Sequence, residues 1–114
     1  MFVGLLNNSK IITNGMDKCF LRNQILSTNL ANTETPEFKA KDLFINVLNP
    51  LTSKGEINYL IEERSDVSPK ENGNTVDMAK EMTSLVENVL EYNALVQAMS
   101  KNISHIEYAL GDRR

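Results

Sequence analysis

An apolar ladder near the carboxyl end constrains the fold most strongly. Along it, apolar side chains recur at alternating steps of four and three residues, at Met78, Met82, Leu85, Val89, Tyr92, Val96, Met99, Ile103, Ile106 and Leu110. This heptad spacing keeps one side of an α-helix facing a partner helix. The sequence therefore predicts a C-terminal helix over about 75–110, roughly 50 Å long at a rise of 1.5 Å per residue.

Local signals mark the ends of this helix. Asn74 or Thr75 can cap its start by accepting a hydrogen bond from a free backbone N–H group. Asp77 and Glu81 lie in the first turns, where a negative charge favours the positive end of the helix dipole. Gly111 is expected to end the helix.

A shorter stripe predicts an N-terminal helix over about 9–32. The residues on this stripe are Ile12, Met16, Cys19, Asn23, Leu26 and Leu30, and their spacing places them along one side of a helix. Asn8 or Ser9 can cap its start. Gly15 weakens the helix by about 1 kcal/mol relative to alanine, and the helix should end before Pro36.

The residues between the helices contain too little apolar surface for an independent domain. Two short apolar runs, 43–48 and 56–61, predict a β-hairpin, because Asn-Pro and Lys-Gly pairs between them carry turn chemistry. The polar runs 62–66 and 68–74 are rich in helix and strand breakers, so they predict an exposed loop.

These elements predict a mainly α fold in a single structural domain. Long N-terminal (1–32) and C-terminal (75–114) helices pair as a coiled coil, with a small irregular or β-hairpin segment (33–74) between them in the chain.

The C-terminal apolar stripe is longer than the N-terminal one by roughly two turns, so part of it lacks a cover within the chain. Exposed apolar surface costs roughly 25 cal/mol per Å². We therefore expect an oligomer, or a chain whose ends become ordered only on docking. The same spacing is also typical of an ordinary helical bundle.

Composition and charge exclude several classes of function. The net charge is −3 and the isoelectric point about 5.1, with scattered basic residues, whereas nucleic-acid surfaces need clustered Lys and Arg. No stretch approaches the roughly 20 apolar residues of a membrane span. The N-terminus lacks the positive region and long apolar core of a secretory signal. General signals alone therefore predict a cytosolic protein.

Residues with possible chemistry are few and scattered. Cys19 falls on the N-terminal stripe and is expected to be a small buried hydrophobe. His105, the only histidine, has no second ligand with which to form a metal site, and we expect it to lie partly exposed. Neither has a partner that would make a nucleophile. The sequence predicts no enzyme, with no catalytic, cofactor-binding or metal-binding residues and no small-molecule substrate.

Residues 27–40 form a pattern that identifies a family. Their residue types alone would also fit an ordinary turn at the end of a helix. The segment reads STNLANTETPEFKA and resembles the signature S-x-N-[IL]-A-N-x-x-T-P-G-[YF]-K-A of flagellar rod and hook proteins. The matching positions are Asn29, Ala31, Asn32, Thr35, Pro36, Phe38, Lys39 and Ala40. Glu37 stands where that family usually has glycine, so we expect a different backbone angle there.

The C-terminal helix carries a second resemblance within that family. Residues 76–82, 87–88, 92–97 and 100–101 look like a proximal rod subunit, and the short chain fits, since distal rod and hook proteins carry large inserted domains. The resemblance covers both terminal helices, about half the chain. It implies a structural subunit that stacks helically around the export channel and leaves the cytoplasm through the flagellar type III apparatus, without a cleavable signal peptide. Residues near 1–30 would carry the export signal, and the protein would end in the periplasmic part of the basal body.

The resemblance also implies partners and site residues. The partners are copies of the chain, other rod proteins, the adaptor beneath the rod, and the export gate and membrane ring. The expected assembly motif is Asn29, Ala31, Asn32, Thr35, Pro36 and Phe38. The spacing of apolar residues, and not the resemblance, gives the expected helix-packing seam: Ile12, Met16, Leu26, Leu30, Met82, Leu85, Val89, Tyr92, Val96, Met99, Ile103 and Ile106. The alternatives are a cytoplasmic helical adaptor or chaperone-like binding module and, within the family, a neighbouring proximal rod protein.

Overall fold

A computed structural model describes residues 2–46 and 58–111. Its elements, in chain order, are helix α1 (Phe2–Ala31), strand β1 (Lys41–Asn46), strand β2 (Asn58–Glu63) and helix α2 (Met78–Ala109). The described part is mainly helical, and a two-stranded antiparallel sheet lies between the two helices in the chain. The fold class predicted from the sequence is therefore confirmed.

The two helices pack along each other in opposite directions. Asn88 of α2 contacts the Cys19 carbonyl of α1, and Asn102, further along α2, contacts the Leu5 carbonyl nearer the start of α1. Gly15 lies between these points, where an added Cβ would come within 3.1 Å of Leu95. This glycine therefore permits close helix packing, in addition to weakening the helix.

Helix α1 begins earlier than its sequence signals predict. It starts at Phe2, so the predicted cap at Asn8 or Ser9 is wrong. The Ser9 hydroxyl instead donates back to the Leu5 carbonyl oxygen at 3.2 Å, as serine does inside a helix. The helix continues to Ala31, close to the predicted end.

Helix α2 begins slightly later than predicted. Asp77 is its N-cap, and the Asp77 carboxylate accepts a hydrogen bond from the Lys80 backbone N–H at 3.3 Å. The predicted cap at Asn74 or Thr75 is therefore wrong. The predicted end is confirmed: Gly111 has a φ of 79°, a left-handed conformation that glycine adopts without steric cost.

The middle segment forms the predicted antiparallel strand pair, and the outer bounds of its strands lie two residues beyond the predicted ones. Strand β1 runs over Lys41–Asn46 and strand β2 over Asn58–Glu63, so the predicted loop is wrong at residues 62–63. The two strands pair with Leu43 opposite Ile61 and Phe44 opposite Leu60. Residues 47–48 and 56–57 of the predicted runs and the turn pairs 49–50 and 54–55 lie outside the described residues.

The apolar core is small and lies where the end of α1 meets the starts of β1 and α2. Its buried apolar members within the described residues are Cys19, Ile25, Leu26, Ala40 and Val76. Buried polar side chains outnumber them: Asn29, Thr33, Asn74, Thr75, Glu81, Ser84, Asn88 and Asn102. Hydrogen bonds and one buried ion pair therefore make many of the contacts that join the described elements.

Candidate assembly surface and the polar junction behind it

Two neighbouring rows of side chains on α2 have opposite environments. The inner row repeats every seven residues and faces α1; it consists of Glu81, Asn88, Leu95 and Asn102. Its three polar members are buried, and Leu95 is half-buried against Gly15. The outer row is displaced by one residue, and every member is exposed, from 39% at Val96 to 69% at Leu110. It consists of Met82, Val89, Val96, Ile103 and Leu110.

The members of the apolar ladder therefore lie in two places, some at the edge of the contact between the two helices and the others facing solvent. Three of its other members, Leu85, Met99 and Ile106, are half-buried at the edge of the helix pair. The other two, Met78 and Tyr92, are exposed. The expectation that the chain leaves part of the ladder uncovered is confirmed. The length argument is wrong, because α1 has 30 residues and α2 has 32. The ladder is uncovered because α1 packs mainly on the inner row and not on the ladder itself.

The N-terminal seam behaves differently from the C-terminal one. Leu26 is fully buried, whereas Ile12, Met16 and Leu30 are half-buried. Asn23, which was expected to complete this stripe, is exposed. The α1 stripe is thus the side of the helix that faces the rest of its own chain.

Two buried asparagines set the register of the helix pair. The Asn88 side-chain amide donates to the Cys19 carbonyl oxygen at 2.8 Å. The Asn102 amide donates to the Leu5 carbonyl oxygen at 3.0 Å and also to the Ser9 hydroxyl. The two donors are 14 residues apart on α2, and their acceptors are 14 residues apart on α1. Sliding one helix would break both bonds together, which is how buried asparagines specify register.

Asn29 of the family motif joins three elements from inside the fold. It is 1% exposed. Its side chain accepts from the Lys41 backbone N–H at 3.1 Å and donates to the Lys41 carbonyl at 2.8 Å. The same amide nitrogen donates to a Glu81 carboxylate oxygen at 3.1 Å. One side chain therefore holds the end of α1 against the start of β1 and the first turn of α2.

Glu81 is a buried carboxylate whose charge is paired. Its side chain is fully buried, and its second oxygen contacts the Arg64 guanidinium, whose side chain is 5% exposed. Arg64 also reaches Asp42 at 3.3 Å, and Arg22 lies 3.7 Å from the other Asp42 oxygen. A carboxylate inside a protein is tolerated only with such a counter-charge and hydrogen bonds. We call Asn29, Lys41, Asp42, Arg64 and Glu81 the junction.

The motif turn after α1 is held by a residue that was expected to lie in an exposed loop. Asn74 is fully buried, so that expectation is wrong at this position. Its amide donates to the Asn32 carbonyl at 2.8 Å and to the Thr35 carbonyl at 2.7 Å. Its side-chain oxygen accepts from the Val76 N–H at 2.7 Å. The turn is thereby fixed to the segment that leads into α2.

Glu37 has a left-handed backbone conformation, which glycine adopts without steric cost. Its φ is 62°, so the expectation that glutamate would not keep a glycine-like angle here is wrong. Two neighbours hold it there. The Glu37 N–H donates to the Asn72 carbonyl at 2.9 Å. The Glu37 carboxylate lies over Gly73, where an added Cβ would come within 2.6 Å of it.

The structure separates the six predicted assembly-motif residues. Asn29 lies inside, and Asn32 and Phe38 are half-buried. Ala31, Thr35 and Pro36 are exposed. A partner could therefore touch the last three directly, whereas Asn29 acts by holding their backbone in place.

Comparison with known proteins identifies the family. The flagellar basal body rod protein FlgB of Bacillus subtilis (strain 168) is 31% identical in an alignment that covers 96% of this chain and 95% of its own. FlgB of Aeromonas hydrophila is 31% identical in an alignment that covers 78% of this chain and 81% of its own. The chain belongs to the FlgB family of flagellar basal body rod proteins. FlgB of Escherichia coli (strain K12) is 27% identical, with 72% of this chain and 77% of its own covered. No family model matches the chain.

Membership of the FlgB family confirms the resemblance found in the sequence. The relatives are named as rod proteins of the flagellar basal body, which makes this chain a member of a family of structural proteins. These relatives are all named FlgB, so the proximal rod protein that the C-terminal helix resembles is FlgB and not a neighbouring rod protein. Neither helix in the described residues has the length and apolarity needed to cross a membrane.

The residues with possible chemistry lie apart. Burial, followed by the nearby Glu91 charge, raises the pKa of the Cys19 thiol, so the reactive thiolate is disfavoured. His105 is exposed, as expected. Residues 2–46 and 58–111 contain no group of three side chains suited to a metal ion. A hydrogen bond from Lys80 lowers the pKa of the Asp66 carboxyl, and this pair ties the loop after β2 to the start of α2.

Replacing Asn29 by alanine should destabilise the fold by about 3 kcal/mol, because three hydrogen bonds are lost and Glu81 keeps a buried charge with one partner fewer. Urea unfolding, followed by circular dichroism at a concentration at which both helices are formed, measures this loss. Ser27→Ala is the matched control. It removes an exposed motif side chain and should change stability by less than about 0.5 kcal/mol. Equal midpoints for the two variants would contradict the role of Asn29.

Glu37→Gly should stabilise the fold by about 1 kcal/mol, because glycine occupies positive φ without the strain of an L side chain. Glu37→Ala keeps the strain and should bring no gain, which separates the backbone effect from loss of the carboxylate. The measurement is the midpoint of thermal unfolding for each variant. A gain for alanine as large as that for glycine would show that the side chain, and not the backbone, is responsible.

Proposed function

We propose that this chain is a structural subunit of the proximal rod. It self-assembles helically around the export channel and helps to form the flagellar drive shaft. Membership of the FlgB family supports the rod itself. The observation that carries the proposal further is the outer row of α2, a line of exposed apolar side chains that no part of the described chain covers.

The outer row has the form of a contact surface for another helix. Its members repeat every seven residues along the whole length of α2, and Val86 and Leu90, 57% and 63% exposed, widen it on one side. Contiguous apolar patches of this kind mark interaction sites in soluble proteins. Apolar burial contributes about 25 cal/mol per Å², so covering the row with a neighbouring subunit is strongly favourable. When such a contact is head-to-tail and does not close into a ring, it produces a helical array.

The family motif presents a second contact region. Ala31, Thr35 and Pro36 are exposed on a turn whose carbonyl groups are bound by Asn74. A turn held in this way loses little conformational entropy when it binds. We assign to it contacts with other copies and with other rod proteins. The adaptor beneath the rod, the export gate and the membrane ring complete the set of partners that the family resemblance implies.

The proposed route to the periplasmic part of the basal body suits this fold. We propose that the chain is exported by the flagellar type III apparatus without a cleavable signal peptide, with the export signal near residues 1–30. An export channel passes unfolded chain. A fold with only five buried apolar side chains in its described part is inexpensive to unfold, and its helices gain stability from packing during assembly.

A cytoplasmic helical adaptor or chaperone-like binding module is the alternative. An adaptor could use the same apolar row to hold one partner. The two functions differ in what the isolated chain does. An adaptor is a stable, folded monomer or dimer, whereas a rod subunit completes its packing only beside its copies. Neither alternative involves catalysis or a cofactor.

Val89→Asp or Val96→Asp should abolish rod assembly and swimming, because a buried charge without a partner is strongly unfavourable at an apolar contact. Both side chains are exposed in the single chain, at 52% and 39%, so expression and export should continue. The readouts are motility in soft agar and the content of this subunit in purified basal bodies. Ala94→Asp, an equivalent charge at an exposed position off the ladder, is the control. Normal swimming of both valine variants would refute the outer row as an assembly surface.

Alkylation of Cys19 should report whether the helices are packed. Cys19 is 2% exposed and its thiol pKa is raised by burial, so a packed chain reacts slowly at pH 8. If the chain is a rod subunit, the dilute chain should react at nearly the rate of urea-unfolded chain, and the assembled subunit should react at least about tenfold more slowly. Strong protection of a dilute monomer would instead favour the adaptor.

A further inference from the structure

The two-stranded sheet has one closed edge and one open edge. In an antiparallel pair, facing residues that exchange no hydrogen bonds point their backbone N–H and C=O groups away from the partner strand. The Arg64 N–H donates to the Ala40 carbonyl at 2.9 Å, so the next facing pair, Lys41 and Glu63, is of this kind. Alternate residues therefore direct their backbone groups outward, starting from Lys41 on β1 and from Glu63 on β2.

Side chains of the same chain occupy the outer edge of β1. The Asn29 side chain binds both outward backbone groups of Lys41, the N–H at 3.1 Å and the carbonyl at 2.8 Å. The Asp42 carboxylate accepts the outward N–H of Leu43 at 2.8 Å. A strand from another molecule therefore cannot add along this part of β1.

The outer edge of β2 has no such cover among the described residues. Tyr59, Ile61 and Glu63 direct three N–H and three C=O groups away from β1, and none of these six has a partner within residues 2–46 and 58–111. Strand β2 packs against β1 and against neither helix. A two-stranded sheet is marginal in water, and an open edge is a template for a further strand. The edge is therefore a docking site for an extended chain.

A second copy of β2 fits this edge in one register. With Ile61 opposite Ile61 of the second copy, Tyr59 lies opposite Glu63, and every outward N–H group meets an outward C=O group. Leu43 already faces Ile61 within each chain, so the pairing places these apolar side chains in one row across a four-stranded sheet. Ile61 is 51% exposed in the single chain, so the row removes apolar surface from water.

Charge selects the antiparallel arrangement of the two strands. Glu62 and Glu63 are exposed at one end of β2, and neither takes part in the salt bridges found among the described residues. Parallel strands in register would set both carboxylates beside their copies, and like charges directly opposite each other are unfavourable. In the antiparallel register, Glu63 lies about 14 Å along the strands from its copy, and it faces Lys41 of its own chain.

We infer that two copies of the unassembled chain pair through the open edges of β2, antiparallel and with Ile61 at the two-fold axis. The contact is isologous, so it closes at two copies and does not extend into a series. The two copies point in opposite directions, whereas a head-to-tail array needs all copies to point one way. The pair therefore precedes assembly and separates as its copies enter the array. This inference goes beyond the proposed function, and the pairing itself does not rest on it.

Disulfide trapping tests the register directly. Each variant carries Cys19→Ala, which removes the native thiol. Ile61→Cys should form a symmetrical disulfide dimer when the concentrated chain is oxidised, because facing residues of this kind lie about 5.5 Å apart between Cα atoms. Mixed together, Tyr59→Cys and Glu63→Cys should give at least about tenfold more mixed dimer than either homodimer, because like positions lie beyond the reach of a disulfide.

The cross-linked products distinguish the other possible occupants of the edge. Homodimers of Tyr59→Cys and of Glu63→Cys without the mixed product would show parallel pairing and overturn the inference. Absence of all these cross-links from the purified chain would also overturn it, and is the result expected if a different polypeptide adds to β2.

Two lysine substitutions provide a matched control. Ile61→Lys sets two ammonium groups opposite each other and should weaken dimerisation at least about tenfold in sedimentation equilibrium. Leu60→Lys makes the same change one residue away, at a side chain that is 43% exposed. The new lysine would face Glu62 of the second copy, so the dimer should be retained or strengthened. Equal loss in both variants, with native circular dichroism spectra, would overturn the edge pairing. If Ile61→Lys does not fold, the cross-links decide.

Motility separates failure of this pairing from failure of the rod assignment. Ile61→Lys should lose the dimer and keep swimming, whereas Val89→Asp should keep the dimer and lose swimming. Loss of swimming in a folded Ile61→Lys variant would place the edge inside the rod and overturn the inference. If Ile61→Lys dimerises normally while Val89→Asp does not swim, the pairing is wrong and the proposed function stands. Normal swimming of Val89→Asp and Val96→Asp refutes the rod assembly surface, while the cross-links still support or overturn the pairing.

Discussion

The buried carboxylate of Glu81 is the interaction on which the rest of the structure depends. It lies in the first turn of α2, and it receives the Asn29 amide from the end of α1 and the Arg64 guanidinium from the end of β2. These two partners fix the position of Glu81, and with it the rotation of α2 about its own axis. Because successive residues are turned by about 100° on a helix, a Glu81 that faces inward places Met82 toward solvent. Asn88 and Asn102 repeat the same constraint further along the helix.

This arrangement places polar groups inside and apolar groups outside, the reverse of a typical helix pair. The buried contacts of the inner row specify register more than they stabilise, since a hydrogen bond contributes only about 1 kcal/mol net. The apolar side chains that could have stabilised the monomer are instead available to other chains. One pattern therefore favours both low stability of the single chain and association with other chains. Both properties fit the proposed export and assembly of the subunit.

The sequence was sufficient to predict the elements but not the side of α2 that meets α1. Heptad spacing identifies an apolar stripe, and the C-terminal helix and its uncovered ladder followed from it. The hairpin followed from two short apolar runs with turn residues between them. It does not show that a row one residue away, containing Glu81 and two asparagines, makes the contact inside the chain. Those residues resemble ordinary polar positions on a helix surface. Their partners Arg64, Cys19 and Leu5 are 17, 69 and 97 residues away in the sequence. The prediction of the backbone angle at Glu37 was wrong for a different reason. The rule that glycine prefers positive φ is sound, but the bond to Asn72 and the space at Gly73 over-determine the backbone there.

The same residues oppose a competing arrangement of the helices. If α2 turned its ladder toward α1, apolar surface would be buried within the chain. Glu81 would lose both Arg64 and Asn29 in that state, and a buried carboxylate without its partners is strongly unfavourable. The hydrogen bonds of Asn88 and Asn102 to α1 would be lost as well. In the proposed assembly, a neighbouring chain supplies the apolar burial while the junction stays intact, so both contributions stabilise the outward arrangement.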